Sequence, residues 1–267
     1  MGTRLFYRML TWSLYGGIIH EMLQSLSIQL DLLQDAEQKK AEEDRLPLEE
    51  KQAREDATFQ VKQAFKDIGL SREVHVRFNP SEKEVFGNNM STYNGLENWR
   101  RAAVVTIFYK KLNFIQDQKQ IYAIAGHEAI HSKHEHTLIS SIILGGLIPA
   151  FYQIPRLIHT PWILNACFFV PMSLYLTGNI LSYFQEMDAD LSAAKKLGSG
   201  SEKIKLFKSL IKENEEISMP IVPDHPSHQT RINYLKPYQN QSLLFFKLAS
   251  EIRKEKPFAN QSNLSFS

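Results

Sequence analysis

The sequence predicts a mainly helical α+β fold with one small β-sheet. Three observations carry this: apolar residues recur at helical spacing along much of the 267-residue chain, two short stretches read as strands, the first by alternating apolar with polar residues, and Gly, Asn and Pro punctuate the passage between them. With 43% hydrophobic and 22% charged residues, the composition suits one ordinary domain with appended segments and excludes disordered and collagen-like chains. A net charge of +2 offers no basic field for a phosphate backbone, so nucleic acid is not an expected partner. The single cysteine, Cys167, can form neither an intramolecular disulfide nor a thiolate zinc cage, so any metal site must rest on His, Asp and Glu.

The elements fall into three regions. In residues 1–56, Arg4 and Arg8 precede an apolar run over 9–19 that His20 and Glu21 interrupt. An amphipathic interfacial helix is the leading reading, ahead of an uncleaved anchor and of a cleaved signal, for which no small-residue cleavage site is visible. Over 37–56, 13 of 20 residues are charged with mixed sign, as in a solvated helix broken near Pro47.

The core domain, 57–240, opens with a helix over 57–69 carrying Phe59, Val61, Ala64, Phe65 and Ile68, with Gly69 as its C-cap. Val74, Val76 and Phe78 mark a strand that stops at Asn79-Pro80, and 102–108 reads as a second. Turn signals at Gly87-Asn88-Asn89 and Asn94-Gly95 suggest antiparallel pairing. Asp117 and Gln120 have N-cap and capping-box spacing ahead of a helix over 121–136. Further helices are expected at 185–197, stopped by Gly198, at 201–214 and at 226–235. The last region, 241–267, holds an amphipathic helix over 242–256 whose Leu243, Leu244, Phe246 and Leu248 call for burial, against the domain, a lipid surface or a partner.

His127-Glu128-Ala129-Ile130-His131 is an HExxH pentapeptide inside the capped helix. Histidines at i and i+4 lie one turn apart and about 40° around the axis, so both imidazoles can reach one metal ion. Glu128, beside the first histidine, can contact a metal-activated water without ligating and act as general base. With 9 histidines and 20 glutamates in the chain, chance supplies about 0.02 such motifs, so a metal site is the stronger reading. A catalytic zinc needs a third protein ligand and an open position. Glu186 is the best candidate, in Glu186-Met187-Asp188-Ala189-Asp190, with Asp188 and Asp190 as competitors. Glu186 and Asp190 share a helix face, so one can bind metal while the other orients an imidazole. An acidic helical face alone is more often only solvated; the position of this one, after HExxH and a long apolar block, argues for the site.

On these residues the chain resembles metallopeptidase family forty-eight, the gluzincins that include the HtpX heat-shock proteases, the Oma-type mitochondrial proteases and the CAAX prenyl endopeptidases. The resemblance spans roughly 57–236: HExxH at His127 to His131, a hydrophobic insertion, the ExxxD helix at Glu186 to Asp190, and His225-Pro226 followed by Arg231. It implies a zincin-type metallopeptidase domain with a hydrophobic helical hairpin between HExxH and the third-ligand helix. It implies one zinc ion per chain on His127, His131 and Glu186, with Glu128 activating water, and Asp190 and His136 supporting the ligands. His225 would donate to the oxyanion or to substrate, with an ordinary loop histidine as the bland alternative; His134 is expected in solvent. Ile130 replaces the family's usual glycine and the Asn-rich strand is degenerate over 88–94, departures that bear on substrate specificity.

Between residues 137 and 184 the only charge is Arg156. The runs 138–154 and 163–184 hold 17 and 22 uncharged residues, the reach of a transmembrane hairpin over 138–184, with Pro149 and Pro171 expected to kink its helices. A helical pair buried over the active site is the alternative.

The combined expectation is a membrane-bound zinc endopeptidase of an inner or organellar membrane, with membrane protein quality control as its expected service. Its polypeptide substrate would align along the 102–108 strand, at Val104, Val105 and Thr106, taken as a sheet edge. A lipid bilayer is the other expected partner. Two rivals are a chaperone-like or adaptor protein whose zinc is structural or autoinhibited by His225, and a membrane-anchored interaction protein with a fortuitous HExxH.

Overall fold

The computed structural model describes residues 45–71, 73–80, 89–93, 102–109, 112–136, 138–140, 142–144, 170–212, 225–244 and 246, together with Thr11, Tyr15 and Ile19. Its elements in order are helix α1 (Leu48–Ile68), strands β1 (Glu73–Pro80), β2 (Asn89–Tyr93) and β3 (Ala102–Tyr109), helices α2 (Leu112–Gln116), α3 (Gln118–Lys133), α4 (Val170–Leu197), α5 (Gly200–Lys212) and α6 (His228–Leu235), and a 3-10 turn (Lys236–Tyr238). The mainly helical α+β class expected from the sequence is observed.

Helix α1 starts earlier than its apolar residues suggest. The charged stretch after Pro47 and the apolar stretch after 57 form one helix, because Ala53 and Ala57 continue the buried stripe of Val61, Ala64, Phe65 and Ile68. Phe59, expected on that stripe, lies about 200° around the axis from Ala57 and Val61 and is exposed. At the C-terminus Gly69 adopts φ 86°, and its amide and that of Leu70 close on the carbonyls of Lys66 and Phe65.

The sheet order is β1-β3-β2. β1 pairs parallel with β3, Val76 opposite Val105, and β2 pairs antiparallel with β3, Met90 opposite Ile107. Two expectations are thereby corrected. The sheet is mixed rather than antiparallel, since Asn89, read as part of a turn, begins an intervening strand. And β3 is the central strand, so Val104, Val105 and Thr106 lie on no edge: each is flanked on both sides, Val105 by Val76 and Thr92. Its near-continuous apolar run, with Ala103, Val104, Val105, Ile107 and Tyr109 all buried, is the pattern of a strand covered on both faces. The remaining turn residues, Gly87, Asn88, Asn94 and Gly95, lie outside the described residues.

The main core joins α1, the sheet, α2 and α3 through Val61, Phe65, Ile107, Ile115, Ile121 and Tyr122, each such side chain contributing about 1.5–3 kcal/mol on burial. A second cluster of Ala194, Ile204, Phe207, Ile232 and Leu235 ties α4, α5 and α6 together. The C-terminal segment docks on the main core: Leu243 is buried there, and Phe246 meets the Tyr122 ring edge-on at 6.0 Å. The rest of the expected helix over 242–256 and most of region 1–56 before residue 45 lie outside the described residues; Thr11, Tyr15 and Ile19 are helical and exposed.

Of the apolar block, 138–140 and 142–144 are helical, 145–169 lie outside the described residues, and α4 joins the expected second span and the third-ligand helix into 28 continuous residues. Pro171 is the second described residue of α4, and residues 145–169 before it lie outside the described residues. Among the described residues no helix is long and apolar enough to cross a membrane.

Candidate metal centre

Helix α3 is buried on every side from Ile121 to Ile130. The Asp117 carboxylate starts it by accepting from the Gln120 amide at 3.0 Å. Its close neighbour is α4. A Cβ placed on Gly126 would lie 2.3 Å from Leu197 Cδ1 and 3.9 Å from Ala193 Cβ, so the missing side chain is what lets the two backbones approach. His127 and Glu128 follow directly, both largely buried at 6% and 9% exposure.

Donor atoms of three residues converge there. His127 Nε2 lies 3.1 Å from His131 Nε2 and 3.3 Å from Glu186 Oε2, and His131 Nε2 lies 3.1 Å from Glu186 Oε1. Tetrahedral ligands at zinc bond lengths of about 2.0–2.1 Å stand about 3.3 Å apart, so the donor set and its spacing fit a zinc ion. Burial alone would raise the Glu186 pKa, but His127, His131 and Arg231 outweigh it and hold the carboxyl well below the usual range, ionised as a ligand must be.

Asp190 is completely buried, and its partners come from three helices. Arg231 on α6 binds it in bidentate fashion, Nε to Oδ2 at 2.7 Å and Nη2 to Oδ1 at 2.9 Å; Tyr234 donates its hydroxyl at 2.6 Å; Lys203 on α5 donates its ammonium. Burial would raise this carboxyl, and the cations Lys203 and Arg231 hold it well below its ordinary value. Oδ1 also lies 2.9 Å from His127 Nδ1, off the axis of a straight hydrogen bond, which keeps the His127 proton on Nδ1 and leaves Nε2 free for metal. Arg231 bridges to Glu186 Oε2 at 3.3 Å and lies over the Phe207 ring at 4.4 Å.

His131 is held differently. Its Nδ1 meets His136 Nδ1 at 2.8 Å, and His136 Nε2 lies 3.2 Å from Asp188 Oδ2. Burial and the adjacent His131 push the His136 pKa down to about 4, so it is neutral and can accept from His131 while donating to Asp188. Gln185 steadies this arm by donating to the His136 carbonyl at 3.1 Å. His134, expected in solvent, instead bonds Asp188 at 2.6 Å. His225 Nδ1 comes within 3.8 Å of Glu186 Oε1 with its side chain half-exposed.

The structure therefore brings His127, Glu128, His131, Glu186, Asp190, His136 and His225 into one neighbourhood, and leaves Val104, Val105 and Thr106 in the sheet interior. Sequence reasoning missed Lys203, Tyr234, and the pairing of His134 with Asp188. Lys203 had a signal, since it shares the buried face of α5 with Ile204 and Phe207, where a lysine needs a buried acid.

Two histidines and a glutamate, with a buried glutamate beside the first histidine, make up the donor set of a hydrolytic metal centre. The chain belongs to Peptidase family M48, whose sequence model matches residues 88–239, from β2 through α6. It is thus a member of a family of zinc-dependent peptidases. No curated protein and no solved structure matches the chain.

Proposed function

We propose that this protein is a zinc-dependent endopeptidase in which His127, His131 and Glu186 hold the metal and Glu128 is the general base. The observation that carries the reading is the convergence of donor atoms of three residues at 3.1–3.3 Å beside a buried glutamate. Zinc, when bound, supplies Lewis acidity that lowers the pKa of a water to about 7 and polarises the scissile carbonyl. Glu128 accepts the proton of the attacking water and returns it to the leaving amine. His225 donates a hydrogen bond to the oxygen that gains charge, a role its place beside Glu186 supports.

The substrate backbone aligns along β2 rather than β3. β2 closes the described sheet on that side and packs against α3, so an extended peptide adding to it passes the metal ligands. The membrane reading is supported by a row of exposed apolar side chains on α4, Met172, Leu176, Ile180 and Phe184, and by exposed Ile139 and Ile143 in the same apolar block of sequence. We infer that the protein attaches to an inner or organellar membrane through this face and the apolar residues that adjoin it, and cleaves misfolded membrane polypeptides.

The test is cleavage of an unfolded reporter protein by the detergent-purified chain beside Glu128→Gln, with zinc content measured for both. The wild type cleaves, and the variant holds the same zinc with activity lower by about 10²–10⁴-fold. Equal zinc with no cleavage by either protein overturns the reading.

A further inference from the structure

We propose that His134, His136 and Asp188 form a second metal site, beside the first, that takes a zinc-class divalent ion from solvent. His134 Nδ1 lies 2.6 Å and His136 Nε2 lies 3.2 Å from Asp188 Oδ2, and one donor atom from each residue falls within 4.8 Å of the others. Two imidazoles and a carboxylate are ligands that zinc accepts. Unlike the first centre, this one opens outward: the His134 and Asp188 side chains are 35% and 42% exposed, against 14% for Glu186, leaving room for water as a further ligand.

The backbone is bent to make the cluster. Helix α3 ends at Lys133, and Glu135, between the two histidines, adopts φ 52°, the one left-handed non-glycine among the described residues. That turn aims side chains two residues apart at a single carboxylate oxygen, and such strain gathers at functional sites. Support of His131 accounts for His136 and Asp188, whereas His134 is joined among the described residues to Asp188 and His136.

Occupancy of the second site acts on the first through His136. With His131 binding metal through Nε2, its proton sits on Nδ1 and is donated to His136 Nδ1, so neutral His136 carries its proton on Nε2, toward Asp188. An ion on His136 Nε2 moves that proton to Nδ1, where it faces the N–H of His131. The second ion therefore weakens the hold on a ligand of the first and inhibits. This consequence rests on the peptidase reading; the binding itself does not.

Full-length protein stripped by chelator is titrated with zinc against a chromophoric competitor, and in parallel with cobalt, whose visible absorption reports each site. The wild type takes two ions, the second more weakly. His134→Ala keeps only the tight ion, Glu186→Gln keeps only the weak one, and His134→Cys, which returns a ligand, restores two. A His134→Ala protein that still takes two ions, or a wild type whose sole ion is lost in Glu186→Gln, overturns the second site. A sole ion lost in His134→Ala and kept in Glu186→Gln overturns the catalytic centre instead and leaves this site standing. Excess zinc lowers wild-type cleavage about tenfold, the scale of a lost supporting contact, and spares His134→Ala; equal inhibition of both overturns the coupling.

Discussion

Gly126 on α3 lies so close to Leu197 on α4 that a single added methyl group would sit 2.3 Å from Leu197 Cδ1. This contact sets the spacing of the two helices that carry the histidines and Glu186. Leu197 is fully buried and has little room to yield. Gly126→Ala is expected to cost about 1–3 kcal/mol by overpacking, with a loss of zinc affinity because Glu186 moves away from the histidines. Thermal melts and chelator competition on the same preparation check both; unchanged zinc affinity would separate packing from the metal centre.

Asp190 balances two buried cations. Asp190→Asn removes the carboxylate partner of Lys203 and leaves Arg231 with Glu186 alone, so a loss of about 3–5 kcal/mol in urea unfolding is expected. Adding Lys203→Met to that variant recovers part of the loss, since one unpaired charge is removed. A double-mutant cycle over Asp190 and Lys203 reads the coupling directly, and additive effects would contradict the buried pair.

His225 is half-exposed beside Glu186. As an oxyanion donor, its removal in His225→Ala lowers kcat by about 10²–10³-fold with zinc content intact. Activity that rises instead marks His225 as a blocking ligand, and an unchanged rate removes it from the chemistry.

Tyr109 supplies a pH prediction away from the metal. Burial, then the Glu50 carboxylate accepting its hydroxyl hydrogen, push its pKa up to about 12, against the pull of Arg54. The folded value lies above the ordinary value of about 10. Its stabilising contribution is therefore fully present below pH 10 and is lost as pH rises through about 12. A phenolate absorbance titration of the wild type against Tyr109→Phe should show one tyrosine ionising late; coincident curves would refute the assignment.

Helical ends were readable because their causes are local: the Asp117 cap three residues from Gln120, and Gly69 and Gly198 at positive φ just past α1 and α4. The strand pairing was not, because order and direction in a sheet depend on partners far apart in sequence. The near-continuous apolar run of β3 was the clue that it is central. The continuity of the second apolar run with the ExxxD helix in α4 was hidden by the change from apolar to polar and charged residues at Gln185 and Glu186.

By itself, the sequence determined the HExxH pair with Glu128 and the shared face of Glu186 and Asp190, because spacing within one helical turn places side chains on one face wherever that helix packs; His225 and Arg231 were implied by the resemblance to family forty-eight alone. Only the tertiary structure decided which carboxylate comes within reach of both histidines, that Lys203, Tyr234 and Arg231 surround Asp190, and that His134 joins Asp188. Those relations join residues from separate elements across 13 to 59 positions of chain. They are settled by how helices and strands fill a shared core, where each buried charge must find its counterpart.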